Sequence, residues 1–144
     1  MIRVVVSPEP IDVSAELERL EVTGAVATFT GLVRADDGVT MLELEHYPGA
    51  TERALEVLCA EATERWALLA ATVIHRIRPM TPGERIVFVG TASAHRAAAL
   101  DACAFLIDRL KTDAPFWKRE TRGDTHRWVD ARGSDDAAAA RWQG

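Results

Sequence analysis

The chain has 144 residues and a formal net charge of −5, with 48% hydrophobic and 27% charged residues. These values predict a single globular domain over residues 1–144, and the acidic balance argues against a general nucleic-acid binder. No apolar run approaches the ~20 residues that cross a membrane, and no signal-peptide core follows the N-terminus, so no membrane association is expected. Cys59 and Cys103 lie far apart and are expected to be buried thiols of a cytoplasmic protein.

Hydrophobic periodicity and turn residues predict strands interleaved with helices. In chain order the predicted elements are strand Arg3–Ser7, helix Asp12–Leu20, strands Gly24–Arg34 and Met41–Tyr47, helix Thr51–Trp66, strands Thr72–Ile77 and Ile86–Val89, helix Ala94–Lys111, strands Phe116–Glu120 and Arg127–Val129, and helix Asp135–Trp142. Asp12 or Ser14 is the expected N-cap of the first helix.

Short turns join many of the predicted strands. Asp36-Asp37-Gly38 supplies turn chemistry between the second and third strands, which makes them a hairpin, and Arg122-Gly123-Asp124 does the same for the last two. Gly31 predicts a bulge or a close backbone approach, and the apolar run Ile86–Val89 is typical of a strand buried on both faces. We therefore expect an α+β fold, with a mostly antiparallel sheet and packed helices, in preference to a doubly wound one.

Lysine occurs only at Lys111 and Lys118, whereas the chain has fifteen arginines. A lysine amine, unlike a guanidinium group, can lose its proton when it is desolvated or close to other cations, and can then act as a base or a nucleophile. GC-rich coding that replaced other lysines by arginine is the alternative explanation. Because the strand of Lys118 begins shortly after the helix of Lys111 ends, we expect the two amines to converge on one pocket.

The segment around the lysines is cationic in an otherwise acidic chain. From Arg109 to Arg127 there are six cations and three acids, a local charge of +3, so the remainder carries −8. Such an island suits a small anionic ligand or the acidic tail of a partner, and a solvated charged hairpin is the alternative. The four histidines lack ligand-like spacing, and there is no glycine-rich phosphate loop or Gly-x-Ser-x-Gly elbow, so no metal or cofactor is predicted.

The helix Ala94–Lys111 is predicted to bury one apolar stripe. Its inward-facing residues are expected to be Leu100, Ala104, Ile107 and Lys111. Lys111 would then lie at the edge of a buried surface, and the alternative is a lysine that extends to water and stabilises the helix C-terminus. Phe105 falls on the wet side between Asp101 and Asp108, which favours a partner surface there.

The start of the same helix predicts an anion site. Ser93 is the expected N-cap, and the free N–H groups beside His95 and Arg96 suit a phosphate or a carboxylate. Lys111 lies ~24 Å away along the helix, so the two ends serve different sites unless a second subunit completes one. Arg34, which ends a strand, is either a ligand contact or a solvated rim residue.

Five segments stand out when they are taken together and in order. They are Phe29-Thr30-Gly31-x-Val33-Arg34, Leu44-Glu45-His46-Tyr47-Pro48-Gly49, Val73-Ile74-His75-Arg76-Ile77, Ser93-Ala94-His95-Arg96 and Lys111-Thr112-x-Ala114-Pro115-Phe116-Trp117-Lys118-Arg119-Glu120. With this set of motifs, the chain resembles the MoaE family, the catalytic large subunits of molybdopterin synthase. The resemblance runs from about Arg3 to Trp142, and its last motif is highly specific.

This resemblance implies an α/β-hammerhead-like fold and a sulfurtransferase that converts cyclic pyranopterin monophosphate to molybdopterin by installing two dithiolene sulfurs. The sulfur would arrive as a thiocarboxylate on the C-terminal Gly-Gly of a small ubiquitin-like carrier subunit. Such proteins assemble as a homodimer with a carrier at each end, a heterotetramer. In that dimer, His95 and Arg96 of one chain can face Lys111 and Lys118 of the other.

By position, the resemblance makes Lys111 and Lys118 the catalytic pair. The implied contacts to pterin or phosphate are Leu32 and Val33 through their backbone, Arg34, His95, Arg96, Lys111, Lys118, Arg119 and Glu120. Two other functions remain open. A Schiff-base lysine enzyme acting on a phosphorylated small molecule would be trapped on Lys111 by borohydride. A non-catalytic subunit that binds a carrier tail would keep that binding after both amines are lost.

Overall fold

Two four-stranded sheets and three α-helices make up the described part of the chain. The computed structural model describes residues 1–128 together with Ala140 and Trp142. In chain order the elements are β1 (Ile2–Ser7), α1 (Val13–Leu20), β2 (Ala25–Leu32), a 3₁₀ turn (Asp36–Gly38), β3 (Met41–His46), α2 (Ala50–Trp66), β4 (Ala70–Arg76), β5 (Arg78–Met80), β6 (Arg85–Ser93), α3 (Arg96–Asp113), β7 (Phe116–Arg122) and β8 (Thr125–Trp128). The predicted helix Asp135–Trp142 lies outside the described residues, apart from Ala140 and Trp142.

The sheets are almost entirely antiparallel. The first has the order β1-β4-β6-β2, in which β1 and β4 run parallel and the other neighbours antiparallel. The second has the order β5-β3-β7-β8, with antiparallel neighbours throughout. The prediction of an α+β fold with a mostly antiparallel sheet and packed helices is confirmed, as is the hairpin of the last two strands. None of the helices in the described residues is long and apolar enough to cross a bilayer.

Helices cover both faces of the first sheet. In β6, Val87 and Val89 pack with residues of α2 and α3, whereas Phe88 packs with residues of α1. All three are buried, as the continuous apolar run predicts. On the second face, Asp12 is the N-cap of α1, and its carboxylate accepts the N–H of Ala15 at 3.1 Å.

The hairpin predicted between the second and third strands is wrong. β2 pairs with β6 of the first sheet, whereas β3 pairs with β5 and β7 of the second. After β2, Val33 donates its N–H to Glu84 and accepts the N–H of Gly83, both at 2.9 Å. These bonds direct the chain toward the β5–β6 connection, and Asp36–Gly38 then turns it into the other sheet. Alternation along a strand identifies its faces but not its partner.

The prediction of which side of α3 is buried is wrong. The buried residues of α3 are Ala99, Ala102, Cys103, Phe105, Leu106 and Leu110. Leu100 is 60% exposed, Ala104 and Ile107 are half-buried, and Lys111 is exposed. Because α3 is alanine-rich and apolar over a wide arc, its sequence does not distinguish the sheet-facing side from the neighbouring side.

Phe105, predicted on the wet side, is fully buried within the chain. Its ring packs edge-on against Trp66 of α2 at 5.2 Å and against Trp142 at 5.7 Å between centroids. Asp108 accepts the indole N–H of Trp142 at 2.7 Å, and the Arg65 guanidinium lies over the Trp66 ring at 4.7 Å. The chain's own Trp142 therefore covers the surface that the sequence assigns to a partner.

Candidate active site

The two lysines lie on either side of a tight corner between α3 and β7. Only Ala114 and Pro115 separate the end of the helix from the start of the strand. Lys111 is exposed in the last turn of α3, and Lys118 is the half-buried third residue of β7. The short connector brings both residues to one end of the molecule. We call this region, from Lys111 to Lys118, the lysine corner.

A buried histidine ties the two halves of the lysine corner together. The ring of His75, on β4, stacks on Phe116 with 4.1 Å between centroids, and its Nδ1 donates to the carbonyl of Arg76 at 2.9 Å. The pKa of His75 is lowered to about 4, mainly by burial and to a smaller extent by the Lys111 charge, while the bond to Arg76 opposes the change. Through its charge, Lys111 is thus electrostatically coupled to the histidine. Lys118 follows Phe116 by two positions on the same strand face.

The face of β7 that carries Lys118 belongs to the interior of the second sheet. In the register of β3 and β7, Lys118 lies opposite Leu44 and Glu120 lies opposite Leu42. Both leucines are buried, and Glu120 is buried as well. Its carboxylate is 3.3 Å from the guanidinium of Arg122, which supplies a counter-charge at this depth.

Arg119 points to the other face of the strand. Its guanidinium forms an ion pair with Glu43 of β3 and lies over the ring of Trp128 at 5.8 Å. Successive strand residues alternate between faces, so Arg119 does not join Lys118. The family resemblance implies that Lys118, Arg119 and Glu120 all contact the ligand. In the structure, Arg119 lies on the opposite face of the strand from the other two.

The end of β2 has the irregularity that Gly31 predicts. The register with β6 shifts between Gly31 and Leu32, and a Cβ at Gly31 would lie 2.8 Å from Val87. The register shift confirms the bulge, whereas the close contact is with the side chain of Val87 and not with another backbone. After the shift, Leu32 pairs with Arg85 and its side chain is 53% exposed.

Val33 and Arg34 follow at the same end of the molecule as the lysines. Val33 is buried with Leu44, the residue opposite Lys118. Its backbone N–H and carbonyl already form the two bonds to the β5–β6 connection, so a ligand at its backbone would compete with them. The side chain of Arg34 is exposed, and its guanidinium is 4.0 Å from the carboxylate of Asp36, which leaves it accessible to an anion.

His95 and Arg96 lie at the opposite end of α3. The helix begins at Arg96, with His95 in the N-cap position and without a side-chain cap. Ser93, the predicted cap, lies two residues earlier and accepts the N–H of His95 at 3.5 Å. The 18 residues of α3 span ~27 Å at 1.5 Å per residue, so the structure does not bring this pair to Lys111 within one chain.

The lysine corner is suited to negatively charged reactants. The two amines flank the connector, the guanidinium of Arg34 is exposed, and His75 contributes a buried imidazole that stacks on Phe116. Preorganised cations in a partly dry pocket stabilise developing negative charge, and an amine can also accept or donate a proton. No group of side chains suited to holding a metal ion occurs among the described residues.

Two residues that contact this corner, Thr51 and His75, are not among the site residues that the sequence predicts. Thr51 lies in the first turn of α2, and its hydroxyl donates to the carbonyl of Pro115 at 2.7 Å. Nothing in a threonine near a helix start distinguishes it from an ordinary helical residue. His75, in contrast, is a polar residue within an otherwise apolar strand. Because buried polar groups require partners, this pattern could have indicated a specific contact.

Comparison with known proteins identifies the family. The model of the MoaE protein family matches residues 6–113. The molybdopterin synthase catalytic subunit of Escherichia coli (strain K12) is 52% identical over 146 residues, which cover 97% of each chain. The subunit of the same name from Pseudomonas aeruginosa is 57% identical over 123 residues, covering 83% of this chain and 82% of that one. The solved structure of the molybdopterin biosynthesis MoaE protein from Burkholderia ambifaria MC40-6 has a TM-score of 0.86 at 46% identity, covering 99% of this chain and 98% of that one. The chain belongs to the MoaE family.

Proposed function

We propose that this chain is the catalytic subunit of a molybdopterin synthase. It transfers sulfur from the thiocarboxylated C-terminal Gly-Gly of a small ubiquitin-like carrier to cyclic pyranopterin monophosphate, and so forms the dithiolene of molybdopterin. Relatives that are about half identical over nearly the full length carry this name. The observation that carries the proposal is the lysine corner, where the only two lysines of the chain flank a two-residue connector.

The proposed chemistry requires cations and a proton carrier in one place. Each sulfur transfer passes through anionic intermediates, and opening the cyclic phosphate adds further negative charge. Lys111 and Lys118 stabilise that charge, and one of them moves protons, which an arginine cannot do at neutral pH. Arg34 holds the anionic substrate at the rim.

A second copy of the chain completes the site. His95 and Arg96 bind the phosphate or pterin, but they lie a helix length from Lys111 in their own chain. Leu100 is 60% exposed on α3, and the half-buried Ala104 and Ile107 follow it at helical spacing. We assign this apolar stripe to the interface of a homodimer, which carries a carrier subunit at each end to form a heterotetramer.

The reaction takes place in the cytoplasm. Cys59 and Cys103 are free buried thiols, and burial raises their pKa values to about 12 and about 11. Thiols of this kind are typical of a reducing compartment, in which a carrier thiocarboxylate is also protected from oxidation.

The test is synthesis from purified components. The protein is incubated with cyclic pyranopterin monophosphate and thiocarboxylated carrier, and molybdopterin is assayed; carrier with an ordinary C-terminal carboxylate is the control. Product should form only with the thiocarboxylate. It should disappear with Lys111→Ala but not with Arg53→Ala, which removes an exposed cation on α2. Borohydride trapping of substrate on Lys111 without product would favour a Schiff-base enzyme. Tail binding without product, unaffected by loss of both amines, would favour a binding subunit.

A further inference from the structure

The geometry of the lysine pair depends on the connector between α3 and β7. Ala114 and Pro115 alone join the element of Lys111 to the element of Lys118. The N–H of Ala114 bonds to Leu110 at 3.2 Å, which secures the helix side of the connector. Proline has no N–H, so Pro115 is held through its carbonyl group. Whatever binds that carbonyl therefore restrains the connector, in addition to the pairing of β7 with β3.

Thr51 binds that carbonyl from a distant part of the sequence. Its side chain is fully buried, and its hydroxyl donates to the Pro115 carbonyl at 2.7 Å. The hydroxyl oxygen of Thr51 also accepts the N–H of Tyr47 at 3.0 Å. A hydroxyl has one proton to donate, and here the proton is committed to the connector. Thr51 thus fastens the start of α2 and the end of β3 to the lysine corner.

A second contact supports the connector from another element. Phe116, directly after Pro115, stacks on the buried ring of His75, with 4.1 Å between centroids. His75 is itself held by the bond from its Nδ1 to Arg76. The stacking contacts only the Phe116 ring, whereas the bond from Thr51 acts on the Pro115 carbonyl itself.

We propose that Thr51 is a positioning residue for the Lys111–Lys118 pair. Its hydroxyl holds the Pro115 carbonyl so that the two amines keep the separation that sulfur transfer requires. This inference rests on the proposed function for its kinetic consequence, but the geometric claim stands on its own. A misplacement of ~1 Å at a catalytic group can cost ~100-fold in rate, so one buried hydrogen bond at this connector has a large effect.

The test compares three single variants. Thr51→Val keeps the shape of the side chain and removes the donor, and Thr51→Ser restores the donor. Thr63→Val is the matched control, because the Thr63 hydroxyl also donates to a carbonyl, that of Cys59 at 2.7 Å, but within α2 and away from the connector. Thr51→Val should lower kcat by ~10–100-fold with KM within about threefold of wild type. Thr51→Ser should recover kcat to within about threefold, and Thr63→Val should keep wild-type kcat even if its Tm falls equally.

A second measurement does not depend on the activity. Because the chain has only two lysines, protein grown on isotope-labelled lysine gives only two lysine side-chain signals by NMR. Thr51→Val should move both signals, Thr51→Ser should return them, and Thr63→Val should leave them in place. If the wild type makes no molybdopterin but the signals move as described, the proposed function fails and the positioning role stands.

Several results would overturn the proposal. Unchanged lysine signals in folded Thr51→Val would do so, as would wild-type kcat, or an equal loss of kcat in Thr63→Val. If Thr51→Val does not fold, Thr51→Ala replaces it, since the smaller side chain admits a water molecule to the Pro115 carbonyl. Thr51→Ala is then judged by the same two readouts and against the same serine variant.

Discussion

Replacing His75 by phenylalanine should remove much of the acid sensitivity of the folded protein. His75 is buried between β4 and the lysine corner, and phenylalanine can retain the stacking on Phe116 without a titrating nitrogen. The ordinary pKa of 6.5 falls to about 4, because burial disfavours the charged ring and the Lys111 charge repels it. The bond to the Arg76 carbonyl opposes this change but does not reverse it.

The direction and size of the change in the free energy of unfolding follow from the two pKa values of His75, in the unfolded and in the folded chain. The unfolded chain takes up the proton near pH 6.5, whereas the folded chain takes it up only near pH 4. Between these values the unfolded state binds more protons, so the free energy of unfolding decreases as the pH falls, by up to ~1.4 kcal/mol per pH unit. The stabilisation is complete above about pH 6.5, and on the order of 3 kcal/mol is lost by about pH 4.

The assay is urea unfolding of wild type, His75→Phe and a control between about pH 7.5 and about pH 4.5. His126→Phe is the matched control, because His126 is exposed on β8. Carboxylates such as Glu84, whose pKa is lowered by bonds from Thr81 and Arg76, add their own acid sensitivity equally in all three proteins. The difference between wild type and His75→Phe isolates the histidine. If the unfolding free energies of these two proteins fall in parallel as the pH is lowered, His75 is not the source of the acid sensitivity.

Three further predictions concern the proposed reaction. Lys111→Ala should abolish molybdopterin formation without loss of Tm, because the side chain is exposed. Lys111→Arg should also form no molybdopterin, because arginine keeps the charge but cannot exchange a proton. Near-normal turnover of the arginine variant would leave Lys111 only an electrostatic role. Arg96→Ala should weaken precursor binding by ~1.5–3 kcal/mol, measured by calorimetry, and should weaken a ligand without the phosphate much less; an equal loss for both would place Arg96 elsewhere. Mixing inactive His95→Ala/Arg96→Ala protein with inactive Lys111→Ala protein should restore activity, because a mixed dimer contains one intact site; no activity after proven subunit exchange would mean that the site lies within one chain.

Local sequence patterns predict the helices and strands of this fold better than they predict which strands pair with one another. The apolar run at Val87–Val89 and the turn at Gly123 each depend on residues close in sequence, and both predictions hold. The partner of β2 depends on Gly83 and Glu84, some fifty residues further along the chain, which capture the backbone after the strand. No alternation within β2 contains that information.

The same distinction applies to the candidate site. The short connector between Lys111 and Lys118 limits how far apart they can lie, so their common location follows from the sequence. Which face of α3 is buried does not follow from the sequence of the helix, because Phe105 is covered by Trp142, which lies far along the chain. Thr51 escapes prediction for the same reason, since its role is defined by a contact with Pro115 across 64 positions.

The most direct test of the account follows the sulfur itself. The protein is mixed with cyclic pyranopterin monophosphate and an excess of carrier whose thiocarboxylate contains a heavy sulfur isotope, and the product is analysed by mass spectrometry. We predict molybdopterin with two labelled sulfurs in its dithiolene, and no labelled product with Lys111→Ala. Molybdopterin with unlabelled sulfur, or label that stays on the carrier with active wild-type components, would contradict it.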